Sequence, residues 1–168
     1  MNPVKTVFNK PWIPYKNRVD FYIDHKVDFD APVTTVHGFF FNDDGQLLLV
    51  KHSKRGWEIP GGHVDTDESY DAAMRRELYE ETQMYAQQLC ILGYLKKTAL
   101  EKEPVNCKYP YPLSYCIFYA STISEAEPFE GDESIIDYKF VDVEESREFS
   151  WIQSYDVYLN KAVEALKI

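Results

Sequence analysis

The sequence predicts an α/β fold, a mixed β-sheet packed between helices, and three observations predict it. Runs rich in β-branched and aromatic residues recur at residues 33–41, 46–51, 89–97, 113–121 and 135–143. A helical stretch, residues 69–82, interrupts that series, and a second helical period closes the chain. Strands interleaved with one internal and one terminal helix suit a sheet covered by helices. A length of 168 residues suits one domain with a sizeable core.

Taken in order, residues 1–32 stand apart as an N-terminal extension, with Pro3, Pro11, Pro14 and Pro32 and several aromatics. Within it Val19, Phe21 and Ile23 alternate with Asp20, Tyr22 and Asp24, the period of a strand. The extension is expected to add a strand or arm that covers an edge of the core, or to serve as a homodimer contact. The domain proper is expected over residues 33–168. Its first two strands, 33–41 and 46–51, flank Asn42-Asp43-Asp44-Gly45, a turn signal, and so read as a hairpin. Residues 56–59 are short and extended. Asp67 or Ser69 can cap the helix that follows, where early acids favour the dipole. On that helix Met74 and Leu78, with Tyr85 beyond it, are placed on the core side, and Glu77, Glu80 and Glu81 away from it. Residues 98–112 read as a long loop holding Lys102, Lys108, Tyr109 and Tyr111. In the last helix, 155–166, Tyr155, Tyr158, Leu159, Ala162, Val163 and Leu166 keep helical spacing.

Composition narrows the function. The formal net charge of −10 argues against general nucleic-acid or anionic-membrane binding. Cys90, Cys107 and Cys116 are odd in number and fit no zinc spacing, so reduced thiols and a cytoplasmic setting are expected. No stretch reaches the roughly 18 apolar residues of a membrane span, and the N-terminus has no apolar signal core.

The chemistry concentrates after the turn Pro60-Gly61-Gly62. Glu77, Glu80 and Glu81 share one turn of the expected helix, where residues three and four apart are neighbours. Crowded carboxylates repel, and a cation turns that cost into a binding site. Oxygen ligands without His or Cys point to Mg²⁺ or Mn²⁺. The competing reading is a solvated acidic face. Arg76, four residues before Glu80, favours the organised site, as does the Gly turn, which lets a backbone carbonyl come close.

The pattern Gly62, five residues, Glu68, seven residues, Arg76-Glu77-Leu78, one residue, Glu80-Glu81 resembles the signature of the Nudix hydrolases. The lead-in Trp57-Glu58-Ile59-Pro60-Gly61-Gly62 is similar too, and weaker agreement runs from about Val33 to Val143. The resemblance implies an α/β/α sandwich and metal-assisted attack of water on phosphorus in a nucleoside diphosphate linked to another group. It implies that Glu77, Glu80 and Glu81 bind metal with the carbonyl of Gly61, and that Glu68 and Arg76 fix the helix and its acids. One glutamate could also take the proton from water. One departure stands out: Gln83 holds a position where the family has Gly, which suits a left-handed helix end. Gln there costs on the order of 1 kcal/mol if the left-handed conformation is kept, and a locally altered helix end is expected.

The remaining site candidates lie outside the box. Many family members add an acid from elsewhere, and Glu133, in the acidic loop 127–133, is the candidate here. Lys54 and Arg55, in the basic cluster 51–55, are candidates to grip substrate phosphates, Arg55 by its fork of donors. Trp57 is set either in the core or in a base pocket, and Tyr109 and Tyr111 either stack on a base or pack their loop. His63 follows the Gly pair. The function expected is a divalent-metal-dependent pyrophosphohydrolase acting on a nucleotide-type small molecule. The alternatives are a catalytically silent domain sensing a nucleotide or ADP-ribose-like ligand, which the intact glutamates disfavour, and an isoprenoid diphosphate isomerase, which wants a pocket Cys.

Overall fold

The computed structural model describes residues 2–23, 29–103 and 110–168, and a sheet of ten strands organises them. In chain order the strands and helices are β1 Lys5–Phe8, β2 Asn17–Tyr22, β3 Val33–Phe41, β4 Leu47–His52, β5 Gly56–Glu58, β6 Gly61–His63, α1 Tyr70–Thr82, β7 Met84–Ala86, β8 Cys90–Ala99, β9 Leu113–Ala126, β10 Ile135–Val141, α2 Val143–Ser146, α3 Ser150–Ser154 and α4 Asp156–Leu166. The main path runs β1-β2-β8-β9-β3-β4-β10. β5 pairs with β4, β6 with β3 and β7 with β9. β3 and β9 are parallel and the other pairs antiparallel, so the sheet is mixed as expected.

The near-continuous apolar runs of β3, β4 and β9 follow from burial on both faces. Phe39, Phe41, Leu47, Leu49 and Phe118 face one way and meet Ile152 of α3 and Tyr158, Leu159 and Ala162 of α4. Their strand neighbours Val36, Phe40, Leu48, Ile117 and Tyr119 face the other way and meet Ala73, Met74 and Leu78 of α1. Period-two alternation thus divides one sheet between two helical layers, the α/β/α sandwich expected. The N-terminal residues supply β1 and β2; β2 pairs with β8, and Val19 and Phe21 enter the α4-side core.

Several boundaries differ from expectation for stated reasons. β9 runs on to Ala126 because β7 pairs with its far end, and β8 reaches Ala99 because β2 accompanies it from Tyr94 to Ala99. The β3–β4 turn forms, with Asn42 Oδ1 accepting from the Asp44 and Gln46 N–H groups, but only Phe41 and Leu47 pair across it. β3 then follows β9 and β6, while β4 follows β5 and β10. The short helices α2 and α3 carry no periodic run long enough to announce them. Tyr85 lies on the surface, not the core side, stacked on Tyr79 with both hydroxyls donating to Glu127. Cys116 is buried and Cys90 half-buried, both free thiols, while Cys107, Lys108 and Tyr109 fall outside the described residues. Among the described residues no helix is long and apolar enough to cross a membrane.

Tyr158 ties α4 to the sheet. Its ring stacks on Phe118 at 4.1 Å, and its hydroxyl donates to the Tyr94 carbonyl at 2.6 Å. Tyr158→Phe keeps the stack and loses the bond, so a destabilisation of about 1 kcal/mol is expected. A urea midpoint unchanged at constant m-value would contradict that role.

Candidate active site

Helix α1 presents the acidic set. Ser69 caps it, its hydroxyl accepting from the Ala72 N–H at 3.2 Å. One turn in, Arg76 is the hub. Its Nη2 and Nε donate to the two Glu68 oxygens at 2.7 and 3.2 Å, and Nη1 reaches Glu77 at 3.0 Å and Glu80 at 3.1 Å. Nη2 also donates to the His63 carbonyl at 2.9 Å, which binds the helix to β6. The Arg76 bonds, joined by the Asp65 N–H, hold the Glu68 carboxyl below its ordinary range, and Arg76 itself is raised in return. Glu68 and Arg76 are thus bonded to each other, and Arg76 to Glu77, Glu80 and the His63 carbonyl.

Only Glu80 looks fully outward. Glu77 and Glu81 turn toward β6, a correction to the expected outward face: α1 lies against that strand, which makes them half-buried. Glu81 accepts the Gly61 N–H at 3.0 Å. Burial pushes its pKa up to about 8, with Glu77 and Glu58 adding to the rise and the Gly61 N–H and Arg55 opposing it. Burial also raises Glu77, against the pull of Arg76.

The two glycines make this approach possible. Gly61 has φ +155°, and a Cβ there would collide with the Val36 carbonyl and His37 Nδ1 and lie 2.8 Å from His37 Cα. A Cβ on Gly62 would occupy the place of the Glu77 carboxyl group. Gly61 gives its N–H to Glu81 and not to β3, and residues of a ladder turn N–H and C=O to the same edge. Its carbonyl is thereby left on the side of the acids. The donor set of Glu77, Glu80, Glu81 and the Gly61 carbonyl is all oxygen, which suits a hard divalent cation. Burial disfavours the ionised forms of Glu77 and Glu81, and a cation would relieve that cost. Among the described residues no three acidic, His or Cys side chains already converge on one point; Arg76 bridges Glu77 and Glu80. The residues fit such a cation by chemistry, with Arg76 holding part of the set.

On the α4 side of β6 lies a cavity of about 560 Å³. Phe118, Trp151 and Tyr155 form one aromatic wall, with ring centroids 4.3 Å apart for Trp151 and Tyr155 and 5.3 Å for Phe118 and Tyr155. Trp12, from the turn between β1 and β2, lies over Tyr155 at the mouth. Trp57 lines the cavity, with Lys51 and Lys139 over its ring, and thus joins the pocket reading to partial burial. Arg55 lines it as well, but Nε and Nη2 are engaged by the buried Glu58 at 3.1 and 2.5 Å. Its charge is therefore largely answered within the protein. His63 also faces the cavity.

The remaining candidates are not brought to it. Lys54 is exposed in the β4–β5 turn and does not line the cavity. Glu133 is held by its main chain, its carbonyl accepting from Ser53 Oγ at 2.9 Å, and its carboxylate bonds no described residue. Tyr109 lies outside the described residues, and Tyr111 packs edge-on to Tyr15 away from the cavity. His37, Lys97, Trp12 and Trp151 had no spacing to announce them, because they come from separate parts of the chain that meet only on folding.

Gln83 keeps the left-handed helix end, with φ 57° and ψ 24° and its N–H on the Tyr79 carbonyl. The side chain earns its place by docking a loop: Nε2 donates to the Glu80 carbonyl at 3.2 Å, and Oε1 accepts the Glu130 N–H at 2.9 Å. A glycine would make neither bond.

The family model of the NUDIX domain matches residues 31–160. A Bacillus subtilis protein named as the 8-oxo-dGTP diphosphatase YtkD is 36% identical over 99 residues, covering 58% of this chain and 59% of its own. An RNA pyrophosphohydrolase of Xanthomonas axonopodis pv. citri is 29% identical over 127 residues, covering 75% and 62%. The chain thus spans about three-fifths of the length of these relatives. Among solved structures, the Bacillus subtilis pyrophosphohydrolase BsRppH superimposes with TM-score 0.67 at 25% identity, covering 89% of this chain and 92% of that one. The NUDIX domain of Shewanella oneidensis NrtR, complexed with ADP ribose, shares the fold at TM-score 0.60 and 23% identity, covering 82% and 90%.

Proposed function

From the premise that the chain belongs to the Nudix family, we propose that it is a divalent-cation-dependent hydrolase that cleaves a diphosphate bond in a nucleotide or nucleotide-linked small molecule. One observation carries the reading. Glu77 and Glu81 are presented to the Gly61–Gly62 strand on one side, while an aromatic cavity of about 560 Å³ opens on the other. Phosphates and a planar base can then be held at once, on either side of β6.

Glu77, Glu80, Glu81 and the Gly61 carbonyl would hold Mg²⁺ or Mn²⁺. When bound, the cation supplies Lewis acidity that neutralises phosphate oxygens and makes water a better nucleophile. Water attacks phosphorus, the anhydride P–O bond breaks, and one of the glutamates accepts the water's proton. Glu68 and Arg76 keep the carboxylates in register, and the aromatic lining of Trp57, Trp151 and Tyr155 would shield the nucleoside end from solvent. Glu133 is our candidate for an additional acid, in a loop that docks on the end of α1 through Glu130 and Gln83.

The test is release of phosphate and nucleotide with Mg²⁺ or Mn²⁺ over nucleoside triphosphates, dinucleoside polyphosphates, ADP-ribose and nucleotide sugars. Cleavage of one class, abolished by chelation, is expected. No turnover across that panel, with nucleotide binding retained, would replace hydrolysis by ligand sensing.

A further inference from the structure

The floor of the cavity contains a cation that the chemistry above does not use. Of the charged cavity side chains, Arg55 and Glu58 answer each other. Lys97, reaching from β8 toward β3, has no such counterpart. Among the described residues its ammonium donates to the Thr35 hydroxyl at 3.3 Å and to no carboxylate. An ammonium carries three donors and no acceptor, so two N–H groups are left for a ligand. His37 beside it stays neutral, since burial and the nearby Lys97 push its pKa down to about 3. Lys97 thus offers its remaining donors under walls of Trp57, Trp151 and Tyr155.

The acids stand elsewhere. Glu77 and Glu81 approach from α1, which covers the opposite face of the sheet, whereas Lys97 and Thr35 line the α4-side cavity. A nucleotide whose phosphates lay at the glutamates and whose base entered this cavity would bring that base to Lys97. A planar base between the aromatic walls meets that ammonium edge-on. A 6-oxopurine presents two acceptors there, O6 and N7, whereas adenine puts an amino donor in place of O6. Adenine keeps N7, but its amino group sets donor against donor and leaves one N–H of the half-buried ammonium unsatisfied.

We infer that Lys97 makes this cavity a reader of 6-oxopurine bases, favouring guanine- and hypoxanthine-type nucleotides over adenine ones. The inference deepens the nucleotide reading above and rests on it for the placement of the base. It is tested by tryptophan fluorescence titration with GMP, IMP and AMP. None has a diphosphate bond, so affinity is read whether or not the protein hydrolyses anything. GMP and IMP are expected to bind at least ~10-fold more tightly than AMP, because a site built to bond a group rejects the analogue lacking it. Lys97→Met retains the apolar stem and is expected to erase that preference by weakening GMP and IMP alone. Lys97→Arg, still able to donate to O6 and N7, is expected to keep it. Equal weakening of all three ligands by Lys97→Met would assign Lys97 to phosphate and overturn the inference. So would wild-type protein that binds AMP as tightly as GMP, or that binds none of them. A preference for GMP and IMP in a protein that cleaves no diphosphate would leave the inference standing and remove the hydrolase reading instead.

Discussion

Glu81→Gln is expected to lower turnover by at least ~100-fold with the fold intact, the usual scale for removing one electrostatic stabiliser. The substitution is nearly isosteric and keeps an oxygen to accept the Gly61 N–H, but it removes a charge from the oxygen set. Near-normal turnover would dismiss the assignment of these acids. The same variant has a second signature that needs no substrate. In the absence of divalent cation, the Glu81 pKa stands at about 8 in the folded protein against an ordinary 4.5. Between those values the native state holds a proton that the unfolded chain has released, so stability falls as pH rises. The favourable contribution is complete below about pH 4.5 and lost as pH climbs through about 8. Glutamine has no such titration. Thermal unfolding in chelator should therefore show the variant gaining on wild type from pH 5 to pH 8.5. Mg²⁺ should raise the wild-type midpoint at pH 8.5 more than that of the variant, because a ligand of the native state stabilises it. A difference that stays flat with pH would mean that Glu81 is not buried against its own charge.

The fold was legible where the local signal and the tertiary environment agree. The apolar runs of β3, β4 and β9 are long because both faces are buried, and the box helix has its cap, Ser69, and its core residues, Met74 and Leu78, at helical spacing. What the chain hid depends on contacts between distant residues. β7 is three residues long and exists by pairing with the end of β9, while α2 and α3 are single turns. The site divides in the same way. Glu68, Arg76, Glu77, Glu80 and Glu81 lie within 14 residues, so one helix and its lead-in set their geometry, and sequence spacing conveys it. The inward turn of Glu77 and Glu81 did not follow from spacing, because the missing side chain at Gly62 admits Glu77 and the Gly61 N–H bonds Glu81. The cavity draws Trp12, Lys97 and Trp151 from three elements with no common period. Arg55 shows what a basic cluster does not reveal: the guanidinium lines the cavity, but the buried Glu58 three residues away engages it.

The Gly pair separates structural from chemical demands, and substituting each in turn should show it. Gly61→Ala is expected to cost about 1–3 kcal/mol of stability, the range for a side chain forced into a glycine-only backbone conformation. At φ +155° the new Cβ meets the Val36 carbonyl and lies 2.8 Å from His37 Cα, so it strikes backbone, and β6 must part from β3 to admit it. Gly62→Ala meets the Glu77 carboxyl group instead, the far end of a flexible side chain. Glu77 can swing aside, so the urea midpoint should move by less than ~1 kcal/mol, the ordinary range for a change the structure absorbs. Turnover should nonetheless fall by roughly 100-fold, since displacement of a catalytic group by about 1 Å is enough for such a loss. Denaturation midpoints and kcat measured on both variants decide the matter. If Gly62→Ala unfolds the protein as readily as Gly61→Ala, Glu77 is a packed strut and not a movable ligand. If it leaves kcat unchanged, the Glu77 carboxylate need not stand where the missing Cβ admits it, and the acids on α1 act through Glu80 and Glu81 alone.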